Sequence, residues 1–235
     1  MAGPGVFGPV KDEARAIQVL RDAVASGVNH IDTSDFYGPH ETNKLIKKAL
    51  HPYADNLCIV TKVGARRDEK GGWLTAFTPQ ELVSAVEDNL CNLGLEVMEV
   101  VNLRSMLDIH QPKEGSLEPQ LEAMIKLKER GLVRHIGLSN VTVKQVEDAQ
   151  KLTPIACVPF FPLGGFSPLQ STQLDEIAAD LQATPMQVAL AWLLRRSPNI
   201  LLIPGTSSPE HLQENLASAR LNLSDEVMEK LNGMN

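Results

Sequence analysis

His30-Ile31-Asp32-Thr33-Ser34-Asp35-Phe36-Tyr37-Gly38 is the stretch on which the reading of this chain turns. A short apolar run ends in Asp32, and Tyr37 follows five positions later. The next apolar run closes on Val60-Thr61-Lys62. A carboxylate, a phenol and an amine therefore come at successive strand ends. A phenol can protonate a carbonyl oxygen near neutrality only if something lowers its pKa from about 10. An ammonium held against it does so, and a buried aspartate keeps that ammonium charged and in place. Taken singly, an Asp at a strand end is commonly a turn or cap residue, a Tyr a packing residue and a Lys a surface charge. The three at this spacing favour a catalytic set.

Outward from this stretch, short apolar runs alternate with segments of helical period, the signature of a parallel βα fold. Helices are expected at Asp12–Ser26, Glu41–Leu50, Thr78–Leu93, Leu117–Arg130, Val143–Leu152, Ser171–Leu181, Pro185–Arg195 and Pro209–Ala219. Ser224–Leu231 reads as a C-terminal cap. Strands are expected at Val28–Asp32, Leu57–Lys62, Val97–Leu103, Val133–Leu138, Ile155–Phe161 and Asn199–Ile203. Thr78-Pro79-Gln80-Glu81 reads as a helix cap and first turn, and Gly94 as the stop. Such alternation favours a (β/α)8 barrel with its site at the C-terminal strand ends.

Asp32, Tyr37 and Lys62 resemble the core of the aldo-keto reductase active site, and the resemblance covers nearly the whole chain. It implies reduction of an aldehyde or ketone by hydride transfer from a nicotinamide cofactor. Tyr37 would be the general acid, Lys62 would tune it, and Asp32 would hold Lys62. Asp-Phe-Tyr-Gly-Pro-His at 35–40, Val-Val-Asn-Leu-Arg at 100–104 and Val-Pro-Phe-Phe-Pro-Leu-Gly-Gly-Phe at 158–166 are similar to the bacterial pyridoxal reductase-type members. The substrate implied is pyridoxal or a similar aromatic aldehyde. Phe36, Trp73 and Phe77 are candidate pocket walls, Trp73 alternatively a loop anchor.

Departures from the family pattern are equally informative. Glu99-Val100-Val101-Asn102-Leu103-Arg104 occupies the family's Asp-x-x-x-x-His segment, so Arg104 stands where the family has histidine. A guanidinium cannot relay a proton, but it can donate hydrogen bonds to a carbonyl oxygen or clamp an anionic group bidentately. Arg104 could instead be a strand-end ion pair; His110 reads as a loop residue. The family's first strand is missing before Gly3-Pro4-Gly5-Val6-Phe7-Gly8, and one internal βα unit is missing between Asn140 and Phe160. The Gln-x-x-Tyr-Asn segment goes with it. The fold expected is thus an aldo-keto reductase barrel lacking those two pieces, as a single domain over residues 1–235.

On the cofactor side, Gly137-Leu138-Ser139-Asn140 resembles the family segment whose Ser and Asn hold the nicotinamide carboxamide. Phe160, Pro162 and Leu163 resemble a segment that stacks on the nicotinamide and approaches the pyrophosphate. Gly205, Thr206 and Ser207, followed by His211, Glu214 and Asn215, resemble the loop and helix start that hold the adenosine 2′-phosphate. The strongest phosphate binders place Lys and Arg at the positions of Gly205 and His211. The resemblance therefore implies NADP in preference to NAD, with a weakened charge grip.

Composition excludes several classes. A net charge of −7 without a basic stripe argues against a nucleic-acid binder. Adjacent Arg66 and Arg67 read as solvated surface. Cys58, Cys91 and Cys157 have no metal-like spacing and fit a reducing cytoplasm. No metal, membrane span or signal segment is expected, and the partner is a small carbonyl substrate. Two alternatives stay open: a cofactor-binding regulatory or inactive form of the same family, and an aldolase using Lys62 as a Schiff base.

Overall fold

The computed structural model describes residues 1–157, 171–198 and 200–233. The chain divides into two compact units, Met1–Phe160 and Phe161–Asn235. The first holds α1 (Glu13–Ala25), β1 (His30–Asp32), α2 (Glu41–Leu50), β2 (Cys58–Val63), β3 (Ala65–Arg67), β4 (Trp73–Thr75), α3 (Pro79–Leu93), β5 (Met98–Arg104), α4 (Glu118–Glu129), β6 (Val133–Ser139), α5 (Val143–Gln150) and β7 (Ile155–Cys157). The second holds α6 (Thr172–Asp180), α7 (Pro185–Arg196), α8 (Pro209–Ala217) and α9 (Asp225–Asn232).

Five strands form one parallel sheet in the order β1-β2-β5-β6-β7. Each crossover carries a helix, as parallel pairing requires. The register gives the sheet two chemically distinct faces. Ile59 and Val63 of β2, Val101 and Leu103 of β5, and Ile136 and Leu138 of β6 pack into the main apolar core. Leu82 and Leu93 of α3 and Met124 and Leu127 of α4 meet them there, all fully buried. A side chain buried this way contributes about 1.5–3 kcal/mol. The alternate positions, which point to the opposite face, include Lys62, Asn102, Arg104 and Ser139.

Local signals explain the helix boundaries. Thr78 and Glu81 form a capping box at the start of α3, and Gly94 closes the helix in a left-handed conformation. Thr142 with Gln145, and Thr184 with Gln187, do the same for α5 and α7.

Two expectations change. Residues 200–206 are not a strand: Ile200 turns back to bond Ser197, and Leu201 and Ile203 are exposed. An apolar run becomes a strand only where a neighbour takes its backbone groups, and the described residues of the second unit contain no strand. The antiparallel β3–β4 pair was not anticipated. Of the expected strand Ile155–Phe161, residues 155–157 are strand and the rest lie outside the described residues.

Candidate active site

Register alone assembles the polar face. Lys62 pairs with Asn102, Asn102 with Gly137, and Arg104 with Ser139, while Asp32 pairs with Val60, two residues before Lys62. In a parallel sheet, paired residues point the same way and alternate residues share a face. His30, Asp32, Lys62, Asn102, Arg104 and Ser139 therefore line one face, with Asp32, Arg104 and Ser139 ending their strands.

Lys62 Nζ contacts Asp32 Oδ1 and donates to the Thr33 carbonyl at 3.2 Å. Both side chains are largely sealed, with 12% and 7% exposure, so the pair operates in a medium where charges act strongly. The same Nζ lies 5.6 Å from the centre of the Tyr37 ring. Tyr37 reaches this position through the short turn after β1, where its amide donates to Ser34 O at 3.1 Å.

That turn is held from below by a buried polar chain. Thr33 Oγ1 donates to Asn43 Oδ1 at 2.9 Å, Asn43 Nδ2 to Asn89 Oδ1 at 2.8 Å, and Thr61 Oγ1 to the same Asn89 oxygen at 2.6 Å. Fully buried Asp35 sits beside it. Burial pushes the Asp35 carboxyl well above the usual carboxylate range, against hydrogen bonds from Asn89 and Ser34.

Arg104 is half-buried and donates to Ile109 O at 2.8 Å, which shapes the loop after β5. Burial lowers its pKa while the neighbouring Tyr37 acts the other way. The ends of β2 and β5 converge because residue 64 is glycine: a Cβ there would lie 2.5 Å from the Arg104 carbonyl oxygen. His110 is exposed on the loop, its amide bonded to Asp108, and is no substitute for a site histidine.

Arg67 corrects the surface reading of the Arg66–Arg67 pair. Arg66 is exposed, but Arg67 is half-buried, with its guanidinium 3.8 Å from the Trp73 ring centre. It donates to Gly71 O at 2.9 Å and to Gly5 O and Val6 O at 2.5 and 2.9 Å. Val6 O in turn accepts from Gly38 N at 3.1 Å, so Arg67 pins the N-terminal turn against the Tyr37 loop. Burial lowers the Arg67 pKa first, with Asp68 and Tyr37 opposing. Tyr37 thus has Lys62 against its ring and interacts electrostatically with Arg67 and Arg104. Trp73 stacks on Arg67, and Phe36 and Phe77 are half-buried. No short-range motif marked Arg67, because β3 and β4 are three residues each.

Ser139 and Asn140 have the chemistry to take a nicotinamide carboxamide. Asn140 takes a left-handed φ of 57°, and its Nδ2 donates to Ser105 O and Asp108 O, both at 2.9 Å. Its Oδ1 is buried without a partner among the described residues, an acceptor suited to a carboxamide N–H. Buried Ser139 precedes it at the end of β6. In the second unit, Gly205, Thr206 and Ser207 form the loop before α8. His211, Glu214 and Asn215 share one face of α8 by their three- and four-residue spacing. Thr206 Oγ1 accepts from Ser208 N at 3.0 Å, and Ser208 caps the helix through His211 N at 3.3 Å. Phe160, Pro162 and Leu163 lie outside the described residues. Among the described residues no His, Cys, Asp or Glu cluster suits a metal, and no helix is long and apolar enough to cross a membrane.

Comparison with known proteins agrees with this chemistry. The model of the aldo/keto reductase family matches residues 5–160 and 169–235. The chain is 58% identical to pyridoxine 4-dehydrogenase of Escherichia coli K12 over 261 residues, covering 100% of this chain and 91% of that protein. That alignment is longer than the chain's own 235 residues, so the relative carries segments this chain lacks. An uncharacterised oxidoreductase of Schizosaccharomyces pombe is 33% identical over 258 residues, covering 98% and 82%. Among solved structures, the thermostable aldo-keto reductase Tm1743 in complex with the inhibitor epalrestat gives a TM-score of 0.78 at 28% identity, covering 98% and 95%. An aldo-keto reductase from Klebsiella pneumoniae in complex with NADPH shares the fold, with a TM-score of 0.74 at 21% identity, covering 94% and 84%.

Proposed function

The chain belongs to the aldo/keto reductase family, and from that membership we propose that it interconverts an aromatic aldehyde and its alcohol, pyridoxal and pyridoxine foremost, using NADPH. It is an oxidoreductase, and its fold class is the family's (β/α)8 barrel. The family match runs through both compact units, which supports treating residues 1–235 as a single family domain. The observation that carries the proposal is the Asp32–Lys62 pair set against the Tyr37 ring.

When bound, the nicotinamide supplies or accepts the hydride. Tyr37 gives its phenolic proton to the carbonyl oxygen as that oxygen gains charge. Lys62, Arg67 and Arg104 offset the negative charge left on the phenol oxygen, at no cost of solvent reorganisation during the step. Asp32 keeps Lys62 in place. Arg104 cannot take the relay role of a histidine, so its contribution is to hydrogen-bond the carbonyl oxygen or clamp an anionic substituent of the ring. Ser139 and Asn140 orient the carboxamide, and Phe160, Pro162 and Leu163 are proposed to cover the ring and pyrophosphate. Gly205, Thr206, Ser207, His211, Glu214 and Asn215 are proposed to hold the 2′-phosphate end. The NADPH bound to the K. pneumoniae protein is consistent with that preference. The thiols Cys58 and Cys91 are free, in keeping with a reducing cytoplasmic setting.

A purely cofactor-binding role is not favoured, given the named dehydrogenase at 58% identity. A Schiff-base role for Lys62 is opposed by its commitment to Asp32 and Thr33 O. The test is NADPH consumption with pyridoxal, and pyridoxine oxidation with NADP.

A further inference from the structure

Asn102 lies between Lys62 and Gly137 in the sheet register, two residues before Arg104 on the same face. It is fully buried, and neither Oδ1 nor Nδ2 has a hydrogen-bond partner among the described residues. Burying a carboxamide with its groups unpaired is destabilising, and its neighbours on β5, Val101 and Leu103, are apolar. A leucine has the same branched shape and carries no polar group to leave unpaired.

The unmatched valences beside it are complementary. Asp32 Oδ2 is also buried and without a partner among the described residues. Lys62 Nζ, with three donors, has Asp32 Oδ1 and Thr33 O as partners, both on the β1 side. Asn102 stands on the β5 side, offering one acceptor and two donors to the same pair.

We propose that Asn102 is a positioning residue for Lys62: through one ordered water, its carboxamide braces the ammonium from the β5 side and fixes the distance between Lys62 and Tyr37. This rests on the reductase reading for its kinetic consequence but not for its structural one.

The test compares the full chain with Asn102→Leu and Asn102→Ser. Lys62 reactivity is measured by acetic anhydride labelling and peptide mass spectrometry, alongside NADPH binding and pyridoxal turnover. In Asn102→Leu, Lys62 labelling is expected to rise by roughly threefold or more as the side chain gains freedom. The kcat is expected to fall by about tenfold, with KM and NADPH affinity within about twofold. Asn102→Ser, which keeps a hydroxyl and leaves room for water, should recover part of both. If Asn102→Leu does not fold, Asn102→Ser carries the comparison, with smaller changes in the same directions. Unchanged Lys62 labelling and unchanged kcat would overturn the proposal. If the unmodified chain does not turn over, the reductase reading fails instead, and the labelling still decides the role of Asn102.

Discussion

Lys62 joins two strands and a loop in one contact set: its ammonium is paired with Asp32 at the end of β1, and the Tyr37 ring centre lies 5.6 Å away. Removing the phenol oxygen alone should therefore separate chemistry from binding. Tyr37→Phe is expected to lower kcat by about 100-fold or more, with the NADPH dissociation constant, read by fluorescence quenching, unchanged.

Arg104 replaces the relay histidine with a fixed cation. Arg104→Ala is expected to reduce kcat/KM for pyridoxal by about tenfold more than for an uncharged aromatic aldehyde such as benzaldehyde, because a lost charge-assisted hydrogen bond is worth about 1.5–3 kcal/mol. Equal losses on both substrates would assign Arg104 to the loop it holds through Ile109.

Asp35 gives a pH signature of stability. Its carboxyl is pushed up by burial, so the folded state binds this proton more tightly than the unfolded chain. As pH rises from the usual carboxylate range toward the raised folded value, the unfolded state ionises first and stability falls. Asp35→Asn removes that dependence. Its Tm should match the parent near pH 4 and exceed it progressively toward pH 7. A constant difference across this window would show that the carboxyl carries no such linkage.

Asn89 is the hub of the buried chain joining Thr61 of β2 to Asn43 of α2. Asn89→Leu strands the Thr61 hydroxyl and the Asn43 amide in the core and is expected to cost about 3 kcal/mol. Urea denaturation should show a lowered midpoint with an unchanged m-value.

Gly205 has open space where a Cβ would stand, and its backbone is not left-handed. Gly205→Lys is expected to tighten NADPH binding by about tenfold through a charge-assisted phosphate contact, leaving NADH binding unchanged. Equal effects on both nucleotides would move the 2′-phosphate away from this loop.

What could be seen in the sequence follows from how local each signal is. Asp32, Tyr37 and Lys62 were legible because each sits at or just beyond the end of an apolar run, and the cap at Thr78 marks its helix outright. Arg67 was not, since its role depends on the short β3–β4 pair and on carbonyls some sixty residues away at Gly5 and Val6. Asn102 was hidden as one amide in an apolar strand, and only the register sets it beside Lys62. The run at 200–203 shows the converse: apolar composition reads as strand, whereas strand formation is decided by a neighbour the run itself does not specify.

The measurement that bears most directly on the account is NADPH oxidation at 340 nm with pyridoxal, run side by side for the full chain and Tyr37→Phe. Turnover by the parent that falls by about 100-fold in the variant, with NADPH still bound by both, is the result expected. Equal rates from the two proteins, or none from either despite bound NADPH, would contradict the claim that Tyr37, set by Lys62 and Asp32, is the proton donor of a working reductase.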